Sequence, residues 1–193
     1  PRPSSRDRKG FILSEGAGVL VLAAEEAIEA HGLTPLAEVL GVGWSSDAYH
    51  FTRPNRPTIV RAMSEAIADA DLTPEDIQYV NTHGTSTPKG DLNEVACMRD
   101  VFGHRLASVP FSSNKSQLGH TLGGSAAIEA ALTIEGMRRG VLLPTLNHEP
   151  APELGEADVL AHQARAATVE LARRSRFGFG GTNCCVVLKG ACS

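Results

Sequence analysis

A chain whose short apolar runs end in polar, glycine-bearing loops that open helices has few folds available to it. The runs pair as a partly parallel sheet, and the helices carry the chain between strands. The clearest unit is Tyr79-Val80-Asn81-Thr82-His83-Gly84-Thr85-Ser86-Thr87-Pro88-Lys89-Gly90-Asp91. It reads as a strand running into a loop, with a helix starting at Asp91, an N-cap side chain, and Glu94 three positions on. If the loop stays extended, His83, Thr85 and Thr87 alternate and share one side. One imidazole beside two hydroxyls suits a polar substrate; a histidine capping the backbone of a turn explains the same residues.

A second unit of the same kind follows: Phe111-Ser112-Ser113-Asn114-Lys115-Ser116-Gln117-Leu118-Gly119-His120-Thr121-Leu122-Gly123-Gly124. Elsewhere, Val19-Leu20-Val21-Leu22 predicts a strand buried on both faces. Ala23 to Ala30 predicts a helix ended by Gly32, Leu36 to Val42 a strand, and Trp44 to Asn55 a loop. Thr58 to Asp71 has the spacing of an amphipathic helix. Thr73-Pro74-Glu75-Asp76 starts a short helix, with proline at its first position. The helix after Asp91 stops at Gly103. Ser125 to Arg139 predicts a closely packed helix of small apolar residues, and Pro144 to Leu154 a proline-rich connector. Ala166 to Leu171 and Cys184 to Leu188 read as paired strands around a glycine loop. The pattern is α/β, with no internal repeat.

The bulk numbers exclude several classes. At 193 residues the chain can build one real core, and its net charge of −4 with no basic run gives no sign of nucleic acid binding. No apolar run is long enough for a membrane helix, and no signal peptide is visible. Cys97, Cys184, Cys185 and Cys192 show no zinc or C-x-x-C spacing. Free thiols in a reducing compartment are expected. The chain starts at Pro1, which suggests a fragment or a processed product.

The two units, together with Gly178-Phe179-Gly180-Gly181-Thr182-Asn183 and Arg8-Lys9-Gly10-Phe11-Ile12-Leu13-Ser14-Glu15-Gly16-Ala17-Gly18, resemble the β-ketoacyl-acyl-carrier-protein synthases. That family of condensing enzymes carries N-x-H-G-T-x-T, K-S-x-x-G-H, G-F-G-G-T-N and R-D-G-F-V-x-G-E-G-A-G segments; Lys9 and Ser14 are departures here. The elongating, KAS II-like type fits best. The resemblance implies a thiolase-like fold of two similar βαβαβαββ halves in five layers. Residues 1–34 would end the N-terminal half, and 35–193 would form the C-terminal half.

The resemblance also implies the chemistry: decarboxylative Claisen condensation of malonyl carrier protein with an acyl-enzyme thioester, in fatty acid or polyketide synthesis. His83 and His120 would donate N–H to the developing enolate oxygen, since two neutral imidazoles favour the transition state. Lys115 would lie behind them, with Glu129 as the carboxylate that a buried ammonium needs; a solvent-facing Glu129 is the alternative. Asp91 and Glu94 extend the network or simply cap a helix. Thr85 and Thr87 would hold the phosphopantetheine arm, with local turn hydrogen bonding as the alternative. Phe179 would gate the acyl pocket and lend its backbone N–H to the acyl oxyanion hole. The remaining histidines, His31, His50, His104, His148 and His162, read mostly as solvated surface.

The family's nucleophile lies in a D-T-A-C-S-type segment that does not occur here, and the cysteines present read as structural. Alone, the chain is expected to be inactive. No cofactor or metal is expected beyond phosphopantetheine on the acyl carrier protein. Expected partners are that carrier protein, the missing N-terminal half, and a second copy in a full-length homodimer. An isolated half should expose an apolar face and self-associate. The compartment is expected to be bacterial cytoplasm, or an organelle stroma or matrix. A noncatalytic module of the chain-length-factor or carrier-binding kind, and a thiolase with cysteine near the glycine loop, are the competing readings.

Overall fold

The computed structural model describes residues 1–191, so Cys192 lies outside the described residues. Five strands form one mixed sheet in the order β1-β7-β6-β2-β3. They are β1 (Ala37–Ser46), β2 (Tyr79–Asn81), β3 (Phe111–Ser112), β6 (Leu171–Phe177) and β7 (Thr182–Gly190). β1 and β6 flank β7 antiparallel, while β2 runs parallel to both β6 and β3. β4 (Val141–Leu142) and β5 (Arg165–Ala166) make a separate small antiparallel pair.

The helices are α1 (Glu25–His31), α2 (Arg56–Asp69), α3 (Pro88–Phe102), the single turn α4 (Lys115–Leu118) and α5 (Ser125–Arg139). The larger core lies where α2 and α3 meet the sheet. Ile59, Met63 and Ile67 of α2 and Val95, Met98 and Phe102 of α3 pack against Val80, Phe111, Cys185 and Val187. Burying each large side chain contributes about 1.5–3 kcal/mol. A second cluster of Tyr79, Met137, Leu142, Leu160, Val169 and Ala172 lies on the α5 side. The strand–loop–helix alternation read from the sequence is therefore the architecture observed.

Several expectations are corrected. Val19-Leu20-Val21-Leu22 joins no strand; Val19 is 87% and Val21 91% exposed, because nothing among the described residues offers that backbone a ladder. Only Leu13 in this region bridges, to His120. β1 continues to Ser46, so Trp44 to Ser46 is strand rather than loop. The strand before the glycine loop is Leu171–Phe177, not Ala166–Leu171. Its arginines hide it: Arg173 and Arg174 are buried, so the apolar pattern that marks a strand is absent. α3 begins at Pro88 with Thr87 as N-cap, three residues before Asp91. Proline needs no N–H at a helix start and brings a helical φ with it, which moves the start upstream. α5 has its expected bounds, but the residues it buries are Ser125, Glu129, Thr133 and Met137, a mostly polar stripe. His148 is buried rather than solvated.

Large apolar side chains are exposed, among them Ile12, Leu13, Val21, Leu22 and Trp44. No helix is long and apolar enough to cross a membrane among the described residues.

α2 lies directly on β1 because β1 has glycine where they cross. A Cβ on Gly43 would stand 2.0 Å from Ala62 O and 2.4 Å from Ala66 N. Gly43→Ala should therefore push the helix away and destabilise the chain by about 1–3 kcal/mol in denaturant unfolding. Gly123→Ala, whose added methyl meets nothing within 4 Å, is the control and should shift the midpoint far less.

Candidate functional site

The loops that follow β2, β3 and β6 end on the same side of the sheet, and a cleft of about 350 Å³ opens there. His83, Thr85, Thr87, His120 and Phe179 all line it, as do Asp47, Phe51, Asn93, Arg176 and Phe177. The loop holding His83 is not extended: Gly84 and Ser86 have positive φ. His83, Thr85 and Thr87 nevertheless reach the cleft together, and the two threonine hydroxyls are 3.0 Å apart.

The imidazoles of His83 and His120 meet edge to face, with ring centroids 5.8 Å apart. At that separation one oxygen can accept a hydrogen bond from each ring. Phe177 braces His83 at 5.5 Å and Phe11 braces His120 at 5.2 Å, both edge on. Leu122 N donates to His120 Nδ1 at 3.0 Å, which makes Nδ1 the acceptor and leaves the proton on Nε2. Burial, then the Lys115 and Arg176 charges, push both rings toward the neutral form; His120 falls to about 4, and His83 also falls well below its ordinary value. At neutral pH both imidazoles are neutral donors.

Behind them lies a closed ion cluster. Lys115 is fully buried; its Nζ donates to Glu129 Oε1 at 2.6 Å and to His83 O at 2.7 Å. Arg174 donates to the other carboxylate oxygen of Glu129 at 2.7 Å and to Ser125 O at 3.2 Å. Glu129 is thus buried and doubly paired, not solvent-facing. Lys115 opens the one-turn helix α4 rather than lying in a loop, and Gly119, at φ 73°, ends it and turns the chain to His120.

Asp91 and Glu94 do not form the expected capping box. Glu94 is buried inside α3, where His83 N and Gly84 N each donate to it at 2.8 Å, so one carboxylate clamps the imidazole-bearing loop. Asp91 takes the backbone N–H of Ser4 at 2.7 Å, fastening the N-terminal segment to the first turn of α3. Burial pushes Glu94 up to about 7 and Asp91 up to about 6.

Phe179 stands at the mouth, 55% exposed and stacked on Phe51 at 5.3 Å. Gly181, at φ 83°, has room for no side chain, since a Cβ would come 2.3 Å from the Asp47 Cβ. Asp47 holds this turn: it donates N–H to Gly181 O and accepts from Asn183 and Thr58. Sequence reading missed Asp47, Ser125, Arg174 and Arg176. Arginines spaced two apart in a strand ending at a glycine loop were the available signal for the last two.

None of the described cysteines lines the cleft. Cys97 and Cys185 are buried, and burial pushes their thiols up to about 12 and about 11. Cys184 is half-buried on β7. No group of three or more metal-type ligands occurs among the described residues.

Two predictions follow from this geometry. Glu129→Ala leaves the Lys115 and Arg174 charges buried against each other, and should cost about 3–5 kcal/mol in denaturant unfolding. The second concerns pH. The folded chain keeps a proton on Glu94 up to about 7 that an unfolded carboxyl releases near 4.5, so this group favours folding more as pH falls through that window. His120 acts oppositely: the unfolded imidazole gains a proton below 6.5 that the folded one refuses down to about 4. The two effects offset in wild type. Glu94→Gln should remove one of them, on the order of 3 kcal/mol at most. Stability measured between pH 6.5 and 4.5 should then fall more steeply on acidification than it does in wild type.

Residues 36–149 match the family model for the β-ketoacyl synthase C-terminal domain. The chain is 39% identical over 191 residues to 3-oxoacyl-[acyl-carrier-protein] synthase 2 of Staphylococcus aureus, covering 97% of this chain and 47% of that protein. The solved ishigamide ketosynthase/chain length factor superposes with a TM-score of 0.94 at 37% identity, over 99% of this chain and 47% of that one. A type II polyketide ketosynthase solved with its acyl-carrier protein and bound to the hexaketide superposes at 0.93 with 29% identity, over 99% and 47%. The chain spans about half the length of these relatives. With a thiolase-like sheet and helices and a match over most of its central residues, this chain belongs to the β-ketoacyl synthase family, as its C-terminal domain.

Proposed function

We propose that this chain supplies the decarboxylation half of a condensing site. The observation that carries the reading is the pair of neutral imidazoles, His83 and His120, set 5.8 Å apart in one cleft above the Lys115–Glu129 pair. A malonyl thioester enters with its carbonyl oxygen between the two rings. The bond from its methylene carbon to its carboxylate breaks, carbon dioxide leaves, and the electron pair is delocalised onto the carbonyl oxygen as an enolate. Both N–H groups strengthen as that charge grows, so they bind the transition state better than the ground state. Lys115 acts through position: it grips the His83 carbonyl and adds positive field.

The enolate carbon then attacks the carbonyl carbon of an acyl thioester, a carbon–carbon bond forms, the carbon–sulfur bond breaks, and the thiolate that carried the acyl group leaves. Buried Cys97 and Cys185 do not suit that role, and the nucleophile is proposed to come from outside these residues. Thr85 and Thr87 hold the phosphopantetheine arm that carries the substrate, and no other cofactor is invoked. The Phe179 ring gates the mouth, and its N–H serves the acyl oxyanion. The acyl carrier protein, the rest of a longer enzyme and a second copy are the proposed partners. The ketosynthase relative solved with its carrier protein supports the first of these. The family match starting at residue 36 supports a boundary between thiolase-like halves near residues 34 and 35. A reducing cytoplasm suits the free Cys97, Cys184 and Cys185.

His83→Ala and His120→Ala should each slow carbon dioxide release from a malonyl thioester by about 100-fold or more, the usual loss for one oxyanion donor. The measurement uses the protein at the length its host makes it. A near-normal rate in either variant would remove the paired-donor mechanism.

A further inference from the structure

The mechanism above leaves two cleft-lining arginines unused, the exposed Arg53 and the half-buried Arg176. Arg176 lies on β6 two residues beyond Arg174, so both side chains leave the same face of the sheet. Their surroundings differ. Arg174 is paired with Glu129. Glu129 pairs with Lys115 through one oxygen and with Arg174 through the other, and it makes no ion pair with Arg176. Among the described residues no carboxylate lies within ion-pair reach of Arg176. Its Nη2 donates to Leu122 O at 2.7 Å, while its Nη1 is buried with no acceptor at all.

A half-buried guanidinium with an orphaned donor is costly unless something fills it. The group lines the cleft that His83 and His120 line. Its charge adds to burial and Lys115 in holding both rings neutral. An anion carried close to the reacting carbonyl would give that donor its partner. The phosphate of a pantetheine arm does not fit, because the whole arm separates it from the thioester. A carboxylate one methylene away from the carbonyl does fit.

We infer that Arg176 is the docking residue for the free carboxylate of a malonyl-type thioester, so that the cleft selects a carboxylated donor over the plain acyl thioester. The inference rests on the condensing-site reading above. Seating the carboxylate turns Nη1 into the cleft, where the guanidinium fork can meet both oxygens. The contact holds the substrate in the ground state and is released with carbon dioxide, as the charge moves to the oxygen between the imidazoles. Arg176 thus supplies affinity and selection, and the imidazoles supply the rate.

The test uses stable probes: malonyl and acetyl pantetheine in which the thioester sulfur is replaced by an amide nitrogen, which resists decarboxylation. Binding to the protein at its natural length is measured by calorimetry, with thermal unfolding as the check that each variant is folded. The native protein should bind the malonyl probe at least about tenfold more tightly than the acetyl probe, a factor worth about 1.4 kcal/mol. Arg176→Gln should erase the difference, and Arg176→Lys, which keeps the charge without the fork, should restore part of it. Equal binding of both probes by native protein overturns this inference and leaves the condensing-site reading standing. A malonyl preference that survives in Arg176→Gln also overturns it. Binding of neither probe overturns the condensing-site reading, and this inference with it.

Discussion

The buried ammonium of Lys115 sets the terms for the rest of the site. A fully enclosed cation is tolerable only with a carboxylate against it and its other donors satisfied. Glu129 on α5 gives the carboxylate, and the carbonyl of His83 takes a further donor. Arg174 on β6 closes the cluster from the other side of Glu129. One ion cluster therefore ties α4, α5, β6 and the loop after β2 together. None of these can shift far without exposing an unpaired buried charge.

Burial first, and then the charges around this cluster, set the protonation of the imidazoles. Lys115 and Arg176 add to burial in holding both His83 and His120 neutral, and Arg174 adds to it at His83. Both rings are neutral, and the Leu122 N–H on His120 Nδ1 leaves the proton of that ring on Nε2. Glu94 steadies one ring by taking the two backbone N–H groups at His83 and Gly84, and Leu122 N orients the other through Nδ1. Fixed backbone bonds, rather than side-chain freedom, thus place both rings.

Much of this was legible in the residues, and the failures have physical causes. α5 and the glycine stops of α1 and α3 have the bounds the sequence announces, because helix periodicity and the positive φ that glycine permits at a helix end are local properties. β6 was misplaced because three of its four buried residues are Arg173, Arg174 and Ser175, beside Ala172, and a pattern-based reading takes buried positions to be apolar. The Val19–Leu22 run was misread because apolar alternation reports what a segment could bury, not whether a neighbour exists to bury it. Asp91 and Glu94 carry cap-type side chains, but Pro88 had already started the helix, which freed Glu94 to hold the His83 loop and Asp91 to hold Ser4.

What the sequence determined by itself is the set of chemical parts: two loops each delivering a histidine, a lysine five residues before the second, a glutamate at the right remove along a helix, and glycines where the chain must turn tightly. Those follow from short-range stereochemistry and from motif spacing. Only the tertiary structure decided that the rings stand 5.8 Å apart and that Glu129 is shared between two cations. The same holds for Arg176, which is left without a counterion beside the cleft. Those depend on which strands become neighbours, and that is a global outcome of packing a mixed sheet against helices on both faces, which no local window of residues encodes.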